Sequence, residues 1–298
     1  AATTQKPQID IDSIIEFYTK QNANTHRSNS NLANKLTTHY EQTRKKVAHF
    51  IGADSADDIV WTKGTTDAIN LVAQAWGENN VSTNDTIIVL GSEHHANFVP
   101  WQQLAKRKNA NFQVVNLLDD GMPDLTHYKE LLELSPKIVA LQHCSNALGN
   151  IHPVKQLVAM AKEKNAVTLV DGAQAIAHLS VDVKDINCDM YAFSAHKMYA
   201  PLGLGTLYLN QTIKAEFSPY QLGGEMIERV TIKESSFRPI PAMLETGTQN
   251  ISAVIALGIA IDFVFSDEYK IAIYKKQQVY KYLLNQLKTI GSINIIGN

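Results

Sequence analysis

Cysteine is scarce in this 298-residue chain, and the scarcity argues against one class of proteins. The two cysteines, Cys144 and Cys188, are far apart, and neither belongs to a C-x-x-C motif. A fold held together by disulfides or by a structural zinc ion is therefore disfavoured. So few cysteines are typical of a reducing compartment, and we expect a cytoplasmic protein.

Long hydrophobic runs and an excess of charge of one sign are also missing. No apolar stretch approaches the roughly 20 residues of a membrane-spanning helix, and the polar opening AATTQKP is unlike a signal peptide. The 27 Lys and Arg residues against 29 Asp and Glu leave no basic excess for nucleic acid or an anionic membrane. With 45% hydrophobic residues, we expect a soluble globular protein without such partners.

Signature motifs of several enzyme classes are absent as well. The sequence has no G-x-x-x-x-G-K-[ST] phosphate loop and no G-x-S-x-G nucleophile elbow. The run GLG at residues 203–205 fails as a dinucleotide fingerprint because position 208 is Tyr. Nucleotide hydrolysis, serine hydrolysis and hydride transfer are all disfavoured.

Short apolar runs alternate with segments of helical periodicity. Five runs are predicted to be buried strands: 59–61, 87–90, 138–141, 167–170 and 190–193. Continuous apolar strands separated by helices, such as the one predicted over 154–164, indicate a mostly parallel sheet covered on both faces. The predicted fold class is therefore α/β.

Polar and ionisable residues follow each of the five predicted strands. The segments are TKGTT at 62–66, GSEHH at 91–95, QHCSN at 142–146, DGAQ at 171–174 and SAHK at 194–197. Ligands of open parallel sheets bind outside the carboxyl ends of the strands. The sequence therefore predicts that these segments meet in one functional site.

Thr65 and Thr66 stand at the start of a predicted helix whose apolar positions include Ile69 and Trp76. Free backbone amides and hydroxyl groups at a helix start can hold an anion. An ordinary N-cap is the alternative, because Thr is common there. A second pair of candidate anion ligands, Ser194 and His196, favours the functional interpretation.

Asp171 ends a very apolar strand, where an unpaired carboxylate is costly to bury. A protonated pyridine nitrogen would satisfy it and become a better electron sink. An N-cap or a salt bridge to a nearby Lys are the alternatives. Gln174, three residues later, is placed to face the same ligand.

Lys197 follows a strand and precedes a glycine-rich turn. Among apolar residues the pKa of a Lys falls, and its amine can then form a Schiff base, although most lysines are solvated surface charges. His94 is a candidate for stacking on a flat cofactor and for moving protons. A packed histidine is the alternative, and a metal site is the weakest one because no H-E-x-x-H motif is present.

Several motifs, in order along the chain, resemble the class V aminotransferases. The segment from residue 188 through SAHK to GLG is similar to their pyridoxal-phosphate lysine signature. EHHANFVPWQ at 93–102 resembles the cysteine desulfurase and selenocysteine lyase branch, as do AATTQKP at 1–7, THR at 25–27, GGEMI at 223–227 and ETGTQN at 245–250. The resemblance covers essentially the whole chain.

This resemblance implies a role for each candidate residue. Lys197 would bind pyridoxal 5'-phosphate and move the Cα proton of the substrate, with Asp171 at the pyridinium nitrogen and His94 on the ring. Gln174 would approach the phenolic oxygen, and Asn146 would lie near the cofactor and substrate. The phosphate would be held by Thr65 or Thr66, Ser194 and His196, and by Thr248 of a neighbouring subunit, which implies a homodimer.

The resemblance also implies a domain division. We expect an N-terminal segment over 1–11, a fold type I cofactor-binding large domain over 12–264, and a connecting helix and first strand over 265–298. The helix is predicted over 267–289 and the strand over 292–296. The apolar residues predicted for one face of the helix are Ile271, Tyr274, Val279, Tyr282 and Leu283. Most of the small C-terminal domain of the family, with its persulfide-forming Cys and its carboxylate-binding Arg, has no counterpart in these 298 residues, whereas Cys144 and Cys188 are interpreted as packing residues.

The implied function is removal of sulfur, selenium or sulfinate from a cysteine-type amino acid, leaving alanine, with a sulfur-acceptor protein as a further partner, as in iron–sulfur cluster assembly. Without the Cys and the Arg, turnover of cysteine is expected to be impaired. A class V aminotransferase using a 2-oxo acid, and an inactive cofactor-binding dimerisation fragment, are the alternatives.

Overall fold

Seven strands form the central sheet of the computed structural model, which describes residues 2–26, 30–293 and 295. The order of the strands in the sheet is β1-β7-β6-β5-β4-β2-β3. Their bounds are β1 Ile59–Thr62, β2 Thr86–Leu90, β3 Asn111–Val115, β4 Ile138–Gln142, β5 Val167–Asp171, β6 Met190–Ser194 and β7 Gly205–Leu209. A separate hairpin comprises β8 Ile227–Val230 and β9 Ser235–Phe237.

Ten α-helices are found among the described residues. Their bounds are α1 Gln8–Glu16, α2 Asn31–Phe50, α3 Thr65–Val72, α4 Glu78–Asn80, α5 Val99–Lys108, α6 Leu125–Leu132, α7 Val154–Glu163, α8 Val183–Ile186, α9 Ile251–Phe265 and α10 Asp267–Lys288. None of the helices in the described part of the chain is long and apolar enough to cross a membrane.

Alternate residues of the central strands enter two different hydrophobic cores. On β2, Ile88 and Leu90 pack into one core, to which α2, α6, α7 and α9 contribute, and Ile87 and Val89 pack into the other, to which α3 and α5 contribute. Because both faces of the strand are covered, every residue of β2 is buried. This arrangement confirms the predicted α/β sheet, and all five predicted strands are present.

The strand β7 was not predicted, and it determines the geometry of the sheet near β1. It runs antiparallel to both β1 and β6, so that Gly205 lies opposite Thr62 on one side and Ser194 on the other. A Cβ atom at Gly205 would lie 2.4 Å from the Cα of Gly64, so only glycine permits this close backbone approach. The start of α3 is thereby held beside the end of β6.

The helix predicted from residue 267 is present as α10 and ends at Lys288. The apolar side chains predicted for one face of it are between 51 and 67% exposed: Ile271, Tyr274, Val279, Tyr282 and Leu283. Ser292, Ile293 and Ile295 belong to no strand, and Asn294 and Ile296 of the predicted strand lie outside the described residues. Ala1 and Arg27, members of two of the motifs, also lie outside them. The division into domains stays a prediction.

Candidate active site

One cavity of about 710 Å³ lies at the carboxyl ends of the strands. It is lined by nine of the ten predicted site residues: Thr65, Thr66, His94, Asn146, Asp171, Gln174, Ser194, His196 and Lys197. These residues follow β1, β2, β4, β5 and β6, and the parallel sheet brings those strand ends to one edge. The predicted convergence of the five segments is therefore confirmed, whereas the roles of the residues stay predictions.

Asp171 and Lys197 act on each other electrostatically across this cavity. Burial raises the pKa of Asp171, and the amide of Ala173, which donates to Oδ1 at 2.8 Å, partly offsets the rise, as do Lys197 and His94. Burial lowers the pKa of Lys197, and Asp171 opposes that change. The cavity thus holds a nucleophilic amine beside a carboxylate whose charge needs a cationic partner.

Thr65 and Ser194 form the corner of the cavity that the sequence predicts to bind an anion, and we call it the anion-binding corner. The amide of Thr65 donates to Ser194 Oγ at 2.7 Å, and the two hydroxyl oxygens lie 2.7 Å apart. Gly64 precedes α3, so the first-turn amides of that helix open onto the same corner without intrahelical acceptors. Thr66 follows on α3, and His196 approaches from the end of β6.

His196 and Lys197 lie on a single 3₁₀ turn, Ala195–Lys197, directly after β6. The buried Nδ1 of His196 has no hydrogen-bond partner among the described residues. An unpaired buried nitrogen in the wall of a cavity is costly unless a ligand satisfies it. Together with the carboxylate, the amine and the anion-binding corner, this atom fits a group that carries both a ring nitrogen and a phosphate.

The hydrogen bonding of His94 selects one tautomer of its neutral ring. Its Nδ1 accepts a hydrogen bond of 3.1 Å from the amide of Ala96, so the proton of the neutral ring is on Nε2. The ring lines the cavity beside Thr66. His94 is therefore placed to offer an Nε2–H donor or its flat face to a bound ring.

Glu93 is a residue without a predicted role that bonds to Gln142 in the cavity wall. Its carboxylate accepts the amide of Gln142 at 2.5 Å and the side-chain amide of Asn97 at 2.7 Å. Burial, together with the nearby charge of Asp171, raises the pKa of Glu93. The sequence contains a pattern that could have identified Glu93, because this acidic residue, like Asp171, comes at or soon after the end of a mostly apolar strand.

Glu93 supports the loop that carries Asn146. Gln142, which ends β4, donates from Nε2 to Asn146 Oδ1 at 3.2 Å, and its backbone is fixed by Glu93. The Oε1 atom of Gln142 is buried and has no hydrogen-bond partner within the described ranges. The same wall of the cavity therefore presents a further acceptor for a ligand.

Neither cysteine has the environment of a sulfur nucleophile. Cys188 is fully buried and Cys144 is 9% exposed, and burial raises the pKa of both thiols. A thiol whose pKa is raised carries little thiolate and reacts slowly. The predicted packing role is confirmed for Cys188, whereas Cys144 also contributes to the cavity wall.

Thr248, the tenth predicted residue, does not line this cavity. It lines a second cavity of about 330 Å³ beside Arg44 and Glu245. Arg44 donates to both carboxylate oxygens of Glu245 at 2.6 and 2.9 Å, and this buried pair holds the ETGTQN segment against β1. The predicted action of Thr248 on a neighbouring subunit stays a prediction.

Comparison with known proteins identifies the relatives of this chain. The family model for aminotransferase class V matches residues 1–298. A cysteine desulfurase of Synechococcus elongatus is 44% identical over 264 residues, which are 89% of this chain and 42% of that protein. A probable cysteine desulfurase of Vibrio cholerae is 38% identical over 297 residues, 100% of this chain and 74% of that protein.

Solved structures give the same picture. The apo structure of the cysteine desulfurase of Thermococcus onnurineus superposes with a TM-score of 0.85 at 37% identity, covering 88% of this chain and 65% of that one. The crystal structure of the cysteine desulfurase CsdA of Escherichia coli superposes with a TM-score of 0.83 at 36% identity. The match covers 89% of this chain and 66% of that one. The chain thus spans between two fifths and three quarters of these relatives, and the predicted family, fold class and pyridoxal-phosphate cofactor are confirmed.

Proposed function

The chain belongs to the aminotransferase class V family, which depends on pyridoxal phosphate, and we propose that it carries the active site of a cysteine desulfurase. In this reaction cysteine and a thiol give alanine and a persulfide. The names of the relatives support the choice of substrate. The observation that carries the proposal is the meeting of Lys197, Asp171 and the Thr65–Ser194 corner in one cavity.

The bound cofactor would supply an electron sink that weakens the bonds at the Cα of an amino acid. Lys197 would hold it covalently and would move the Cα proton of the substrate, because the lowered pKa favours the neutral form of its amine. Asp171 would pair with the ring nitrogen, which would give its buried charge a cationic partner. His94 would hold the face of the ring, and Gln174 would donate to its phenolic oxygen.

The phosphate group is assigned to the corner formed by Thr65, Thr66, Ser194 and His196, where two hydroxyl groups meet the start of α3. Asn146, which accepts a hydrogen bond from Gln142, is assigned to the neighbourhood of the cofactor and substrate. Thr248 is assigned to the phosphate of a second copy of this chain, so the proposed enzyme is a homodimer in the cytoplasm. A protein thiol is the proposed acceptor of the sulfur.

Selenocysteine and cysteine sulfinate are also proposed substrates, because each needs the same activation at Cα. Cysteine itself needs a reactive thiol to take its sulfur, and both described cysteines are buried. No arginine is found among the described residues that line the cavity, so a bidentate clamp for the substrate carboxylate is missing from this wall. All three substrates carry this carboxylate, so its missing clamp affects them alike, whereas only cysteine needs the thiol. We therefore expect these 298 residues to turn over cysteine more slowly than cysteine sulfinate or selenocysteine.

The test measures alanine released from cysteine, cysteine sulfinate and selenocysteine by the chain supplied with pyridoxal phosphate, with Lys197→Ala as control. Alanine formation that is lost in Lys197→Ala and needs no 2-oxo acid supports the proposal. Product formation only when a 2-oxo acid is added would make the protein an aminotransferase instead.

A borohydride-trapped cofactor on Lys197 without either activity would indicate an inactive cofactor-binding fragment. An equally abundant trapped adduct in Lys197→Ala would contradict the assignment of the lysine itself. The covalent trap is independent of turnover, so the role of Lys197 and the choice of substrate are tested separately.

A further inference from the structure

Four hydrogen bonds from the N-terminal segment, residues 2–6, end on the carbonyl oxygen of His196. The donors are the amide of Thr4, the hydroxyl groups of Thr3 and Thr4, and Nζ of Lys6, each at 3.1 Å. A carbonyl oxygen has two lone pairs, so the four donors compete for it and a charged donor competes best. The contact joins parts of the chain separated by 190 residues or more.

The same segment also makes a hydrogen bond to Tyr199, two residues after Lys197. Thr4 Oγ1 accepts the amide of Tyr199 at 2.8 Å, while its own proton is directed to the carbonyl of His196. Tyr199 has φ of 74°, a left-handed conformation that costs energy for a residue with a side chain. Contacts from outside the turn are therefore needed to keep its backbone in this form.

Lys6 supplies the only charged group among these donors. Its Nζ also donates to the carbonyl of Thr4 at 2.8 Å, which fixes the side chain across the segment. The carboxylate of Asp10 on α1 is fully buried and acts on Lys6 electrostatically. A hydrogen bond from a charged donor is about twice as strong as a neutral one, so Lys6 makes the strongest of the four contacts.

We propose that Lys6 is a positioning residue that, together with Thr4, fixes the backbone from His196 to Tyr199 and thereby directs the amine of Lys197 into the cavity. The N-terminal segment is part of the cavity itself, since Ala2 lines it. This inference rests on the proposed role of Lys197 in binding pyridoxal phosphate. It adds a residue of the N-terminal segment to the machinery of that site.

The test compares Lys6→Met with Lys6→Arg and with the control Lys20→Met, which removes an exposed lysine that follows α1. Hydrogen exchange of the Tyr199 amide in cofactor-free protein is the first readout. The rate at which borohydride traps pyridoxal phosphate on Lys197 is the second. In Lys6→Met we expect exchange to be about tenfold faster and trapping about tenfold slower, since a hydrogen bond to a charged group is lost.

Lys6→Arg keeps a charged donor and is expected to restore both rates to within about threefold of the original chain. If Lys6 only stabilised the fold, Lys6→Met would lower the melting temperature, but its trapping rate would equal that of Lys20→Met. If Lys6→Met equals Lys20→Met in both readouts, or if Lys6→Arg is as impaired as Lys6→Met, the proposal is wrong.

Thr4→Val provides a second variant in case Lys6→Met does not fold. It removes the hydroxyl that joins the His196 carbonyl to the Tyr199 amide, and Thr4→Ser retains that hydroxyl. Faster exchange in Thr4→Val but not in Thr4→Ser supports the positioning role, and equal exchange in both overturns it. If the original chain traps no cofactor on Lys197, the proposed function fails, while the exchange measurement still decides whether the segment holds the turn.

Discussion

Thr65 and Ser194 are 129 residues apart in the sequence, yet the Thr65 amide and hydroxyl both lie 2.7 Å from Ser194 Oγ. Each residue stands at the end of a different strand, β1 or β6, and β7 runs between them in the opposite direction. The glycine at position 205 lets the backbones close to contact distance. The anion-binding corner thus depends on a strand that contributes no side chain to it.

Replacing Ser194 by Ala is expected to weaken the binding of pyridoxal phosphate about tenfold. The change removes one of the two hydroxyl groups of the corner, and a hydrogen bond from it to the phosphate would contribute about 1.4 kcal/mol. The dissociation constant, measured by titrating cofactor-free protein, checks this expectation. Ser218→Ala, which alters an exposed serine, is the control and should bind normally. Equal affinities in the two variants would show that the corner does not hold the phosphate.

Replacing Asp171 by Asn is expected to leave covalent trapping on Lys197 intact but to shift its pH dependence. Asp171 raises the pKa of Lys197, so without the carboxylate the amine loses its proton at lower pH. The pH profile of the trapping rate should therefore move to lower pH. Turnover should fall on the order of a hundredfold, because the ring nitrogen loses its anionic partner.

Asp119→Asn, at an exposed position, is the matched control for that experiment. It removes one negative charge without touching the cavity, so its profile should coincide with that of the original chain. An unchanged profile in Asp171→Asn would mean that the two side chains do not interact across the cavity.

The strands that could be predicted are those whose apolar runs are continuous. The strand β3 was missed because it lies at the edge of the sheet, is only partly buried and includes polar Asn111 and Gln113. The strand β7 was missed because its start, Gly205, belongs to a glycine run typical of a turn. Only the close approach to Gly64, distant in sequence, explains why that glycine begins a strand.

The site could be predicted because most of its residues lie at the end of a strand or within a few residues after it. Lys197, Asp171 and His94 all satisfy that rule, and parallel topology then brings them together. The contacts of Lys6 with His196 could not be predicted in this way, because the N-terminal segment precedes every strand. Local patterns carry no information about such a pairing, which depends on the packing of α1 against α9.

Replacing Glu245 by Gln is expected to lower the free energy of unfolding by about 3–5 kcal/mol. The change removes the buried carboxylate of Arg44 and leaves its guanidinium only the more exposed Glu41, while the new side chain can still accept the amide of Trp61. Urea unfolding measures the loss, and Glu228→Gln on the exposed hairpin should be nearly neutral. A loss below about 1 kcal/mol would mean that the pair does not anchor the segment carrying Thr248.

Asp10 is expected to make the stability of the chain decrease as the pH rises. Burial raises its pKa to about 7, and the attraction of Lys6 only partly opposes this rise. The unfolded carboxyl has its ordinary pKa near 4, so between about pH 4 and pH 7 the folded state holds a proton that the unfolded state has released. Rising pH therefore favours unfolding over that range, and the effect levels off above it.

The variant Asp10→Asn lacks this titration. We compare the free energy of unfolding of the variant with that of the original chain at each pH. Their difference should increase in favour of the variant by about 1–2 kcal/mol between pH 5 and pH 8, a range that allows for partial screening by solvent. Asp12→Asn, at an exposed position on the same helix, is the matched control. Urea unfolding at several pH values separates the two variants. If the difference for Asp10→Asn is constant across that range, the carboxyl of Asp10 does not titrate near neutrality, and its burial beside Lys6 carries no energetic penalty.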